Sequence, residues 1–112
     1  GAHMSGLPLN DQLVSRGGRL VCRARTAPSY RMLRVPTGVP RPALVAGSSS
    51  YEVEVWELPA QGLGELVGLV GAPLRLGQVT LSDGTSTVGF VGDEAMLRGA
   101  EEVAGTSWRD RP

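Results

Sequence analysis

Residues 51–58, YEVEVWEL, carry the cleanest two-residue alternation in the chain: Tyr51, Val53 and Val55 fall on one side of an extended backbone, and Glu52, Glu54 and Trp56 on the other. That pattern is a half-buried strand, and the segments around it keep the same character. Towards the N-terminus, GSSS (47–50) reads as a linker and PALVAG (42–47) as a short strand. Further back, RLVCRARTA (19–27) alternates with Leu20, Cys22 and Ala24 on one face and Arg19, Val21, Arg23 and Arg25 on the other. TAPS (26–29) turns the chain into YRMLRV (30–35), and TGVPRP (37–42) breaks it again, so a hairpin or near-hairpin is expected. Towards the C-terminus, Pro59 opens PAQGLGELVGLV (59–70), in which Leu63, Leu66, Val67 and Val70 recur at helical spacing. LGQVTLSDGTSTVGFV (76–91) then has two β-rich runs joined through Asp83-Gly84, a pair suited to a tight turn.

The ends complete the outline. LNDQLVSRGG (9–18) reads as a short helix, with Asn10 as cap, Leu9 and Leu13 on one side and Gly17 or Gly18 as the stop. EAMLRGAEEV (94–103) suits a final helical turn, with 105–112 trailing into solvent. Six or seven short strands with two or three short helices make an α+β domain on a mixed, strongly curved sheet. Its 112 residues fit one domain, and 16 glycines with 8 prolines imply many turns and disfavour a helical bundle. Eleven basic and eleven acidic side chains cancel, so no global field draws the protein to nucleic acid or an anionic membrane. With no apolar run of bilayer length and no leader pattern, the chain is expected to be cytoplasmic.

One histidine and one cysteine exclude a disulfide and a soft-metal cluster, and no cofactor motif is present. Cys22 is read as a small buried hydrophobe, the alternative being a thiol activated by Arg23. GAHMSGLPLN (1–10) is a glycine-bearing loop leading into a helix, a generic cradle for a carboxylate, carbamate or phosphate. Its first four letters, Gly1 to Met4, have the form of a cloning scar, which would place His3 outside the natural protein. The serines of GSSS lack a lysine to activate them, since the chain contains none. Glu52 and Glu54 share a strand face, where they either line a cavity or form a solvated row. Tyr30 packs in the core or lends its hydroxyl to a ligand.

SGLPLNDQLVSRGGRLVCRARTAPSYRMLRVP (5–36), PRPALV (40–45), YEVEVWELPAQGLGELV (51–67), GAPLRLGQVTLSDG (71–84) and VGFV (88–91) together resemble the C-terminal domain of allophanate hydrolase. The similarity runs over about residues 5–104, leaving 105–112 as a tail, and VEVWELP with APL-x-x-G-x-V-x-L-x-DG is its most specific part. The resemblance implies a γ-glutamylcyclotransferase-like fold, a mixed sheet curling towards a small barrel. It also implies a place in urea and nitrogen metabolism, after an amidase that releases ammonia from allophanate and leaves N-carboxycarbamate. The domain would bind that small carboxylate or carbamate and assist its decarboxylation. Carried over, it names His3 as the catalytic histidine if native, Ser5, Gly6, Leu9 and Asn10 as loop residues, and Tyr30 as a cavity wall. Pro73, Leu74 and Gly77 would form the opposite lip.

The sequence departs from the family in places. The family carries an apolar strand just before Gly-Ala-His, which is expected to be lacking or shortened here. Asp11 stands where some members have a second histidine. No amidase machinery is present, so amide hydrolysis is not expected of these residues alone. Leu69 to Pro73 replaces the stretch in which a cyclotransferase has its glutamate, which argues against that activity. The alternative function is a noncatalytic assembly module for an amidase-type partner, or a homodimer formed through the 76–91 hairpin or an open strand edge.

Overall fold

The computed structural model describes residues 2–36 and 38–110, except for the Asp110 side chain. The order is α1 (Asp11–Val14), β1 (Arg19–Arg25), β2 (Tyr30–Val35), β3 (Arg41–Ala46), β4 (Glu52–Glu57), α2 (Ala60–Gly68), β5 (Leu74–Thr80) and β6 (Ser86–Gly92), closing on a 3-10 turn, Trp108–Asp110. The mixed α+β class holds, but the strands do not close into a barrel. They form two sheets, a β1-β4 pair and a four-stranded sheet in the order β2-β3-β6-β5, in which only β3 and β6 run parallel. A single bridge, Thr26 to Leu81, joins the sheets at one corner. Closure needs an unbroken ladder around the ring. Here Thr26 instead turns the chain out of β1, its buried hydroxyl accepting the Tyr51 N–H.

The locally coded elements form as expected. β5 and β6 pair antiparallel from Leu74–Gly92 to Thr80–Ser86. At their turn Gly84 takes φ +87° and Asp83 Oδ1 accepts the Thr85 N–H and hydroxyl. β2 and β3 form the expected hairpin; Thr37, within its TGVPRP break, lies outside the described residues. α1 stops before Gly17, which adopts φ +80°.

Three local readings are corrected. A bulge shifts the β1–β4 register between Leu20 and Cys22, so Leu20 pairs with Trp56 but Cys22 with Val55. One extra residue reverses the alternation, which leaves Leu20 and Cys22 on opposite faces and Cys22 exposed rather than buried. In α2 only Gly62 and Leu66 are buried, while Leu63 and Val67 are exposed. Gly62 lets the helix lie on α1's outgoing chain, since a Cβ there would meet the Arg16 carbonyl oxygen at 2.5 Å. Gly62→Ala is therefore expected to destabilise by about 1–3 kcal/mol, read by urea unfolding, against near-neutrality at the unobstructed Gly64. Finally, Asn10 makes no side-chain cap; its amide is used elsewhere.

The four-stranded sheet is covered on both faces. One face carries Met32, Leu44, Val79 and Val91 against Met4, Tyr51, Val103 and Trp108. The other carries Leu33, Val35, Ala43, Val45 and Leu74 against Leu97. The segment expected to trail into solvent instead straps across the molecule: Glu52 N–H donates to Thr106 O and Trp108 is 1% exposed, while 94–103, expected as a helical turn, forms only turns over 94–99 and joins the strap through Val103 N–H to Met32 O. No helix among the described residues is long and apolar enough to cross a membrane.

Candidate functional site

The opening loop is wound onto itself. Leu9 N–H donates to Ala2 O, Leu7 N–H to Met4 O, and the Asn10 side-chain amide to His3 O. This winding carries His3 inward, where its Nε2 lies 2.7 Å from Gln12 Oε1 and its ring stacks on Phe90 at 4.7 Å between centroids. An amide oxygen only accepts, so the proton sits on Nε2 and Nδ1 is the basic nitrogen. Burial lowers the pKa of His3; the Gln12 hydrogen bond pulls back towards protonation, and the Arg41 charge adds to the lowering. The imidazole is thus neutral near pH 7.

His3 borders a cavity of about 290 Å³ between the two sheets, walled by Met4, Leu44, Val55, Trp56, Leu66 and Phe90 among others, with Glu52, Glu54 and Thr87 as further polar members. Such a mostly apolar hollow with a few fixed polar groups is the usual form of a small-molecule site. The carried-over residues divide sharply around it. Of them, His3 alone is on its wall.

The others are engaged nearby or elsewhere. Ser5 gives its N–H (2.7 Å) and hydroxyl (3.1 Å) to Glu54 Oε1. The Leu9 and Asn10 amides are taken by Ala2 O and Leu7 O, and Gly6 is an exposed turn residue at φ +77°. Tyr30 packs against the core and its hydroxyl accepts the Thr80 N–H at 2.8 Å. Leu74 is buried on the opposite sheet face with Pro73 leading into it, and Gly77 pairs with Gly89 in the β5–β6 ladder. Among the described residues no three His, Cys, Asp or Glu side chains converge as a metal centre.

Both strand glutamates line the cavity, but they differ in burial. Glu52 is exposed beside Arg25 at 3.5 Å, whereas the Glu54 side chain is 2% exposed. Burial pushes the Glu54 pKa up, but the Ser5 N–H, the Trp56 indole, the Ser5 hydroxyl and Arg109 together carry it below the ordinary value. Glu54 is the residue that the resemblance did not supply; its alternation with Trp56 was the only signal for it.

A family model for the allophanate hydrolase C-terminal domain matches residues 1–111. The chain belongs to the allophanate hydrolase C-terminal domain family. Within that family it is 31% identical over 101 residues to the urea amidolyase of Saccharomyces cerevisiae, spanning 85% of this chain but 6% of that protein. The fold superposes with a TM-score of 0.85 on the allophanate hydrolase of Kluyveromyces lactis, at 27% identity, over 92% of this chain and 18% of that one. A uropathogenic E. coli-specific protein of similar fold, at TM-score 0.83 and 28% identity, is matched over 96% of this chain and 87% of its own. The allophanate hydrolase C-terminal domain thus occurs within much longer chains and also as most of a short one.

Proposed function

We propose that this domain takes the small carbamate product of an amidase into the cavity beside His3 and assists loss of carbon dioxide from it. The observation that carries the reading is a buried histidine, held by Gln12 and Phe90, on the wall of a mostly apolar hollow in a member of this family. On this reading Gly1 to Met4 belong to the domain, which fits the burial of Ala2, His3 and Met4.

The chemistry suits such a site. In N-carboxycarbamate the C–N bond breaks as nitrogen gains a proton: the bond pair becomes the nitrogen lone pair, one carbon leaves as carbon dioxide, and carbamate remains. Charge is dispersed as neutral carbon dioxide forms, so a water-poor cavity favours the step. A dianionic guest raises the basicity of His3, which takes up a proton and delivers it to nitrogen.

Malonate, a stable dicarboxylate of similar size, tests binding. At ten times its Kd it is expected to raise the Tm by roughly 5–8 °C, from a linkage stabilisation of about 1.4 kcal/mol. His3→Ala and Asn10→Ala should lose that shift; absence of any shift in the unaltered protein at millimolar malonate counts against the site.

The assembly reading draws on the exposure of Leu63 on α2 and Val88 on β6, both lining the same cavity, and of Val67 on α2, all large and apolar. Its measurement is sedimentation of the protein alone and with an amidase-domain partner.

A further inference from the structure

Ser5 lies two residues past His3, and its main chain is gripped on both sides. Its N–H and hydroxyl donate to Glu54 Oε1 at 2.7 and 3.1 Å, and its carbonyl accepts from Arg109 Nη2. Arg109 comes from the far end of the chain, 104 residues away, and also stands 3.6 Å from Glu54 Oε2, with Arg23 at 3.8 Å. Glu54 is nearly fully buried, and among the described residues Oε2 has no hydrogen-bond partner. A carboxylate so placed is costly unless opposite charge faces it, so Arg109 and Glu54 depend on each other across the loop.

Nothing slack separates this grip from the imidazole. The carbonyls of Ala2, His3 and Met4 are each already bonded, to Leu9, Asn10 and Leu7. A displacement of Ser5 must therefore pass to His3, whose ring is then drawn off Gln12 and Phe90.

We propose that Glu54 and Arg109 form a clamp on Ser5 through which the C-terminal strap positions His3. They are positioning residues, and the proposal deepens the reading of His3 given above and rests on it for its consequence. A shift of about 1 Å in a reacting group is enough to lower rates on the order of 100-fold, so the strap controls the site without touching the guest.

His3 is the chain's one histidine, so its ring protons are resolved singly in NMR. In the full chain they are expected to carry the ring-current displacement of the Phe90 stack and to titrate below the ordinary 6.5. Arg109→Ala, at a half-exposed side chain, is expected to reduce the displacement and raise the midpoint towards 6.5, with Arg109→Lys restoring both in large part. Glu54→Ala should give the larger change, and the exposed Arg98→Ala none. A folded Arg109→Ala protein with unchanged His3 shifts and titration overturns the clamp, whether or not Glu54→Ala folds. The unaltered protein's malonate response is read separately, and its absence sinks the ligand site while the His3 spectra still decide the clamp.

Discussion

Replacing Trp108 with alanine is expected to cost about 3–5 kcal/mol, lowering the Tm by roughly 12–25 °C in a domain of this size. The indole is 1% exposed and packs in one cluster with Met4, Met32, Leu44, Tyr51, Val79, Val91 and Val103. Those partners come from the His3 loop, all four strands of the large sheet, the residue leading into β4 and the strap itself. Removing the ring therefore leaves a hole where separate parts of the chain meet, and such a hole collapses poorly. Trp108→Phe should keep most of the stability. Trp56→Ala, at a half-buried position, should cost less than Trp108→Ala. Thermal unfolding followed by circular dichroism separates these outcomes. A fall of only a few degrees for Trp108→Ala would mean that the strap is an accessory to the core.

What the sequence made legible was set by how local the determinants are. The Asp83-Gly84 turn and its flanking alternation specify the β5–β6 hairpin within 20 residues, so it could be read directly. The β1 pattern misled because a bulge at Val21 changes nothing in composition yet reverses every face that follows. α2 misled because its apolar periodicity is wider than its buried stripe, Gly62 and Leu66 making the close approach. Glu52 and Glu54 have the same spacing and neighbours. Only Ser5, 49 residues earlier, and Arg109 near the other end distinguish them. SWRD carries no periodicity at all, and Trp108 is buried because the strap reaches the sheet, which no local pattern states. The resemblance thus pointed to His3, which lies on the cavity wall, while the contacts made by distant segments had no local signal.

The largest functional effect is expected at His3. With N-carboxycarbamate generated in place by an amidase acting on allophanate, His3→Ala should slow domain-dependent carbon dioxide release by about 100- to 10,000-fold, the range of one positioned proton donor. Direct measurement of carbon dioxide against ammonia release reads this. If the two stay in step with His3→Ala, or with no domain added, His3 has no such role. Stability and rate should respond oppositely to acid. Burial depresses the folded-state pKa below 6.5, so between that value and 6.5 the unfolded chain binds a proton that the folded chain refuses. The contribution of His3 to stability is therefore complete above 6.5 and falls away as pH drops through that window, a slope that His3→Gln removes. Proton delivery asks for the opposite, because the guest-bound imidazole must be charged, and so the rate should rise as pH falls from the alkaline side. A merely structural histidine would show the first dependence without the second.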